Sequence, residues 1–583
     1  MTDIASGPVS PVIRPKSAST PIAKSKLVKS DWFTILVHWA SAVAMFLSLF
    51  TGMRIAADDI GSIVPRWFIP ILFQGEMWTV HFYAGLGLFA SATAYLVYLK
   101  AGALFDRNSL GKLRVLTLPT SMKMKWGAVN VALHWLLYAL VVLMFVSGVA
   151  MYTGRGGWFV TLHRTTAELA IVYIFAHIIA HFMYGGWWQL LRIFVPQSLK
   201  MGGAPTSKPA WLSLAAAVPA AALVAGVDLN TRDTLPMRAS ATAPDITKSL
   251  DDPAWAGAAP VYLHTSQGAG MVNGAGETLV EIRALHVDDM AYFAFRWEDP
   301  TRSVARVPLK KEADGWHLMA QYVDRMDVQD YYDDKFSVVF TKSDAFGDGG
   351  IIHLGEQPVA GKPVPMNARG LHYTTDGSYN EMWQWKSTRG GVIGSMDHQF
   401  IGPPKEPTER EAKGLDRYQG GYWNYDGAAP YTYNWVSQPV GGYKGPVQVK
   451  FLPKDFEATK AALGQPLTSP EDQVTESQRY WMMDNEVIPY SKEEDDKIPL
   501  GSVIPGVVLK NGGKYTGERG ALNAAAKWAD GKWTLIVSRL MKPVGKYDTS
   551  FERGAAVNLY VAAYDHTQTR HTRHQRPVRL KVE

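Results

Sequence analysis

Long apolar runs fill the first 230 residues, broken by short polar or basic stretches; after them the pattern turns to short alternating segments between turn residues. The runs cover 32–53, 77–99, 126–154, 169–191 and 209–227 and are nearly free of charge. Each reaches the roughly 20 residues that cross about 30 Å of hydrocarbon at 1.5 Å per residue. They predict five membrane helices. The fourth is expected to begin earlier, near Trp158, with Arg164 and Glu168 in its first turns; the fifth is rich in alanine and interrupted by Pro219. Farther on, AYFAFRW (291–297), KFSVVF (335–340), WTLIVSRL (533–540) and VNLYVAAY (557–564) read as strands between Gly, Asp and Pro turns. They predict an all-β, sandwich-type domain, with 341–380 and 402–520 rich in loops. The expected organisation is therefore a basic tail (1–30), a helix bundle (31–195), a fifth helix (208–228), a linker rich in Thr, Ala and Pro (229–244) and a β domain (245–583).

Charge adds an orientation. The formal net charge is +6, and much of the excess lies in segments flanking the apolar runs. Arg14, Lys16, Lys24, Lys26 and Lys29 precede the first run, Lys100, Arg107, Lys112, Arg114, Lys123 and Lys125 follow the second, and Arg192, Lys200 and Lys208 follow the fourth. Basic loops stay on the cytoplasmic side. The N-terminus is thus expected in the cytoplasm and, after five crossings, the β domain on the opposite, periplasmic-type side. The basic balance is explained by orientation, so no nucleic-acid partner is expected. The polar, basic stretch before the first run argues against a cleavable signal peptide. The chain has no cysteine, which excludes disulfides, thiolate metal sites, cysteine-held iron–sulfur clusters and covalent haem attachment through C-x-x-C-H. Neither a P-loop nor a nucleophile–base arrangement stands out.

The histidines carry the chemistry. His163 and His177 are 14 residues apart on the fourth helix, which leaves them about 40° apart around it and about 21 Å apart along it. One face then offers a ligand near each membrane surface. His81 opens the second helix at the depth of His163, and His38 lies two turns into the first at the depth of His177. Two bis-histidine haems, one per pair, would satisfy all four imidazoles. Arg164 is placed to meet a haem propionate. His134 repeats the surroundings of His38 (LHWL against VHWA), with a glycine 14 residues later in both helices, Gly52 and Gly148. His134 and His181 compete for the inner haem, line a quinone pocket, or make structural hydrogen bonds.

On VHW in the first helix, VHFYAG opening the second and the H-x13-H pair of the fourth, residues 30–190 resemble bacterial cytochrome b561 and the b-type subunits of membrane hydrogenases and formate dehydrogenases. The resemblance implies two b haems on these histidines and quinone or quinol as the redox partner in the lipid.

The second half resembles the haem-binding domain typified by the ethylbenzene dehydrogenase gamma subunit, related to subunits of dimethyl sulfoxide reductase-type enzymes. DDPAWAGAAPVYL (251–263), DDMAYFAFRWEDPTRS (288–303), MWQWKSTRG (382–390) and LYVAAYDHTQTRHTRH (559–574) carry the likeness. It implies one further b haem, held in the type member by a methionine on a central strand and a lysine near the last strand. Here Val339 takes the methionine position, and TRHTRH brings His571 or His574 to the lysine position. Some relatives carry a Cys-His haem attachment where this chain has FGDGGIIHLG (346–355), which makes His353 the other expected ligand. Lys386 and Met326 are weaker candidates; His264, His286, His317, His372, His398 and His566 show no pairing in the sequence.

The function expected is a b-type cytochrome that passes electrons between the quinone pool and a periplasmic redox protein or molybdoenzyme-type partner. The competing readings are a membrane-anchored module whose β domain captures a ligand or partner, and a membrane haem oxidoreductase acting directly on an external substrate.

Overall fold

The computed structural model describes residues 29–583, apart from 58–61, 74–76, 267, 269–275, 346–350, 354–360, 364–371, 440–441, 466, 470–473, 544 and the side chains of 66, 325 and 351–353. Five helices are long and apolar enough to cross a membrane: α1 (Trp32–Ala56), α2 (Met77–Ala101), α3 (Met122–Tyr152), α4 (Trp158–Leu191) and α5 (Lys208–Thr231). Caps set two of their starts. The Asp31 carboxylate accepts the Thr34 N–H at 2.9 Å, and the Ser121 hydroxyl accepts that of Met124 at 3.4 Å. Asp31 also receives the Tyr98 hydroxyl (2.6 Å) and Arg107 (3.1 Å), which ties the start of α1 to the end of α2. Inside α4 the backbone leaves helical geometry at Gly185 and Gly186, and Gly186 takes φ +62°, a conformation a Cβ would oppose.

α1 packs on α2, α3 on α4, and α5 lies against α2. The outward faces keep Val142, Phe175, Ile178, Trp211, Val218 and Leu223 exposed. Apolar surface of this extent is covered by lipid rather than water. The chain is a multi-pass membrane protein.

The β domain is built on one twelve-stranded sheet. Its strands, with one short hairpin beside it, are β1 (Thr234–Ala239), β2 (Val261–Thr265), β3 (Thr278–Val287), β4 (Met290–Glu298), β5 (Lys335–Thr341), the hairpin β6 (Ile351–His353) and β7 (His372–Thr374), β8 (Asn380–Lys386), β9 (Asp397–Ile401), β10 (Tyr422–Asn424), β11 (Asn523–Ala529), β12 (Lys532–Leu540), β13 (Val557–Tyr564) and β14 (Val578–Val582). The order is β10-β9-β8-β5-β13-β14-β1-β3-β4-β12-β11, with β2 on the side of β3. Four strands separate β4 from β5, yet Phe293 of β4 meets Phe340 of β5 at 5.5 Å and Trp297 stacks on Phe336 at 4.5 Å. The sheet therefore curls until its halves face each other across one aromatic core, the two-layer packing of a sandwich made from a continuous ladder.

One expectation is corrected. The segment 229–244 is no linker, because residues 234–239 form β1, inside the sheet. Leu235 and Met237 are fully buried and alternate with Thr234, Pro236 and Arg238. Residues 234–237 pair with β14 and 237–239 with β3, a stagger that leaves Pro236 in the half that β3 does not pair. The segment 402–520 organises around a second core that includes Trp316, Trp435, Val447 and Ile504.

The β domain sits on one end of the bundle. Arg576 donates to the Thr231 carbonyl at 2.8 Å and lies over the Tyr152 ring, and Tyr152 in turn donates to Asp228 at 2.6 Å. Gly154, in the α3–α4 turn, is close enough to His264 that a Cβ would lie 3.2 Å from its carbonyl oxygen.

Candidate functional site

Six histidines point into the bundle, and the structure sorts them by depth. At the end beneath the β domain, the rings of His81 (α2) and His163 (α4) are 6.1 Å apart between centroids. Two metal–nitrogen bonds of about 2 Å, with the half-width of each ring, separate trans imidazoles by about 6 Å. The spacing fits one iron between them.

Their tautomers follow from two hydroxyls. Thr51 donates to the Leu47 carbonyl (2.6 Å), so toward His81 Nδ1, 2.9 Å away, it can only accept. Ser147 donates to the Leu143 carbonyl (2.6 Å) and likewise accepts from His163 Nδ1 at 2.9 Å. Both imidazoles are thus protonated at Nδ1, which leaves Nε2 with the lone pair that could bind a metal. The glycines after these hydroxyls make room: a Cβ on Gly52 would stand 3.2 Å from His81 Cε1, and one on Gly148 3.4 Å from His163 Cε1. The glycine repeat was visible in the sequence. The hydroxyl preceding each glycine was equally visible and carries the function that sequence reading missed.

At the opposite end His38 (α1) and His177 (α4) are 6.5 Å apart with rings 29° from parallel. They line a cavity of about 910 Å³ together with His134 and His181, at the upper end of the range for cofactor pockets, about 300–1,000 Å³. His38 Nδ1 is buried without a hydrogen-bond partner. His134 donates to the Asn130 carbonyl at 2.6 Å, and His181 meets Gln189 at 3.4 Å. His134 and His181 are 6.4 Å apart, so ring spacing alone admits this pair as well. Lys112, Lys123 and Arg192 also line the cavity, cations suited to propionates.

In the β domain the outcome is mixed. His574 is corrected: it is 6% exposed, its Nε2 accepts the Val561 N–H at 3.0 Å, and its Nδ1 donates to the Arg576 carbonyl at 2.7 Å. Both ring nitrogens are in use as a hydrogen-bond acceptor and donor. The reason lies in β13, whose residues 557–559 pair with β14 while Val561 and Ala563 lie beyond that pairing. The His574 ring and the Thr572 hydroxyl (3.1 Å) supply the missing acceptors.

His571 takes a different position. Its ring lies 6.3 Å from that of His372, 28° from parallel, and 5.0 Å from Tyr564. The separation is again that of two imidazoles across one iron. His372 was not singled out in the sequence, because only the β6–β7 pairing and the return of the chain after β13 bring it to His571. The side chain of His353 lies outside the described residues; its backbone pairs with His372.

Two of the remaining candidates have partners of their own, Arg164 and Lys386. Arg164 is bound to Glu168 at 3.1 Å in a half-exposed pair, so its expected role toward a propionate finds no support in the geometry. Lys386 is buried against Asp397 at 2.6 Å. Val339 faces Met382 across the ladder, and the Met326 carbonyl accepts from Arg417 at 2.9 Å.

Comparison with known proteins agrees with this division. Residues 29–196 match the family model of prokaryotic cytochrome b561, and residues 252–576 match that of ethylbenzene dehydrogenase. No curated protein matches the chain. The helical half is thereby a membrane b-type cytochrome domain of electron transport, and its apolar, histidine-lined interior suits haem b. The chain belongs to the ethylbenzene dehydrogenase family through its β domain, with a prokaryotic cytochrome b561 domain fused ahead of it.

Proposed function

We propose that the protein carries electrons across a bacterial inner membrane, between the quinone pool and a redox protein or molybdoenzyme-type partner in the periplasm. Two b haems in the bundle and a third in the β domain form the path. The observation that carries this reading is the recurrence of one ring spacing, 6.5, 6.1 and 6.3 Å, at three successive levels of the molecule.

Haem b, when bound, supplies a one-electron iron couple. The chain's own residues place it. His38 and His177 would hold the haem at one end, with Lys112, Lys123 and Arg192 available to its carboxylates. His81 and His163 would hold the second, oriented by Thr51 and Ser147. His372 and His571 would hold the third. Basic residues on the tail, on the α2–α3 connection and after α4 support a cytoplasmic N-terminus and a periplasmic β domain. His134 and His181, which share the cavity with His38 and His177, are suited to hydrogen-bond a quinone carbonyl or hydroxyl.

Haem per polypeptide, measured by pyridine haemochrome on the purified full chain, tests the count. Three b haems support the path. Two, unchanged in a His571→Ala variant, would leave the β domain without a redox role.

A further inference from the structure

The geometry points to a receptor for a pair of carboxylates beside His571: we propose that Lys335 and Arg417 bind the two propionates of the haem that His571 would hold, a role that rests on that haem being present. The start of β5 and the ends of β8 and β13 lie side by side, so that Lys335 faces Lys386 on one neighbouring strand and Tyr564 on the other. Like charges directly opposite each other destabilise a sheet. Lys386 is answered by Asp397 at 2.6 Å, whereas Lys335 donates only to the Gln568 carbonyl, at 2.7 Å.

More cations gather here than carboxylates. Arg306, Lys335 and Arg389 lie 3.9, 5.2 and 5.2 Å from the centre of the Tyr332 ring and are 5%, 4% and 5% exposed. Arg417 lies within the field of Tyr332 and Tyr564. Arg389 takes both oxygens of Asp333, at 3.1 and 3.0 Å. Arg306 Nε is left 3.8 Å from that carboxylate, beyond hydrogen-bonding distance, and Arg306 Nε and Nη1 are buried with no hydrogen-bond partner. Arg417 donates to the Met326 carbonyl at 2.9 Å, and its Nε is likewise buried with no partner. Asp327, the carboxylate in its field, is bound by Arg570 at 2.5 Å. Among the described residues neither Lys335 nor Arg417 forms an ion pair.

A lysine in such surroundings can shed its proton, and burial, with Arg389 after it, does push Lys335 well below the usual range. A guanidinium keeps its charge. Water would fill its hydrogen bonds, and the rings of Tyr332, Tyr433 and Trp435 soften the field of Arg306, but neither supplies negative charge. Tyr433 registers the deficit: burial raises its phenol, yet Arg389 and Arg306 outweigh that and bring it down to about 7. Its ionisation would answer Arg389, whose Nη1 is 3.2 Å from the hydroxyl, and leave Arg417 unmet.

Tyr564 connects this surplus to the haem ligand. Its ring centre is 3.9 Å from Lys335 Nζ and 5.0 Å from that of His571. Haem b carries two carboxylates on one edge, and two carboxylates are what Lys335 and Arg417 lack. Arginine offers a fork of donors that matches a carboxylate, and lysine a point charge.

The test uses the full chain in detergent, produced under haem limitation and titrated with haem b or with its dimethyl ester, which lacks the two charges. Uptake present in wild type and missing in His571→Ala belongs to the β-domain site. Haem should bind there about 10–100-fold more tightly than the ester, the range for hydrogen bonds to charged groups. Lys335→Gln and Arg417→Gln should each remove most of that preference, and Lys413→Gln, at an exposed lysine paired with Glu409, should keep it. The wild-type comparison of haem with ester stands even where a variant folds poorly. Equal affinity for the two would overturn the propionate assignment and leave the third haem in place; if phosphate then raised the melting temperature of wild type but not of Arg417→Gln, the recess would be a site for a free oxyanion instead. No uptake beyond that of His571→Ala would remove the third haem and the assignment with it. A preference that survives in either variant would also overturn it.

Discussion

The guanidinium of Arg573 lies over the indole of Trp78, 5.3 Å from its centroid. Trp78 stands three residues before His81, and Arg573 two residues after His571, so one contact joins the second and third levels of the proposed path. The strand-like pairing of Arg573 with Ser266 (2.9 and 2.8 Å) holds the segment in place. Cation–π contacts contribute about 0.5–2 kcal/mol. Arg573→Ala should keep all haem and slow electron transfer from bundle to β domain. Stopped-flow reduction followed at each haem would show it; an unchanged inter-haem rate would remove this contact from the path.

Thr51 and Ser147 should behave as equivalents. Each accepts the Nδ1–H of one of the facing histidines, His81 or His163, while donating to its own helix. Loss of such an outer partner typically costs about 10–100-fold in metal affinity. Thr51→Val and Ser147→Ala should each weaken retention of the same haem and shift its potential. A redox titration resolving the haems is the check, and an effect in one variant alone would break the equivalence.

The two histidines of TRHTRH should part company on substitution. His571→Ala should remove one haem and leave the fold intact. His574→Ala should keep the haem but strand the buried Val561 N–H, at a cost of about 1–3 kcal/mol. Haemochrome content and thermal melting on the same preparations would separate them.

His163→Ala should remove the haem shared with His81 and stop reduction of the β domain by quinol. Haem content unchanged in this variant would refute the assignment. His264→Ala, which alters a residue facing the α3–α4 turn, should leave the haem count as it was.

Stability should fall on the alkaline side. Burial lowers the affinity of His398 for its proton, but hydrogen bonds to Asp548 and Glu381 outweigh it and raise the pKa to about 9. A folded value above the unfolded one near 6.5 means the gain is complete below pH 6.5, declines above it and is gone past pH 9. The shift corresponds to about 3 kcal/mol. For Asp548, burial is outweighed by His398 and the pKa falls to about 2. Its contribution therefore holds above pH 3.8 and is lost only as the pH drops through 2. Melting curves of the β domain from pH 6 to 10 should slope downward, and the slope should flatten in His398→Asn.

Local pattern made much of this molecule legible. Hydropathy alone locates five helices, and a 14-residue spacing on one helix fixes two depths, because both follow from the period of the chain itself. What escaped depends on contacts between distant segments. β1 looked like a linker because its two buried positions, Leu235 and Met237, are too few to show alternation. His372 carried no signal, since its neighbour His571 is delivered by the distant segment that follows β13. His574 looked like a ligand because the sequence does not reveal that Val561 needs an acceptor.

The α1–α2 and α3–α4 hairpins resemble two prints from one plate: His38 answers to His134, Thr51–Gly52 to Ser147–Gly148, and His81 to His163. Fourteen residues after His163 comes His177, but fourteen after His81 comes Tyr95, which lines the same cavity. Perfect duplication would offer two degenerate ways of seating a cofactor at that end. Tyr95 departs from that pattern, so at this position α4 presents an imidazole to the cavity and α2 a phenol.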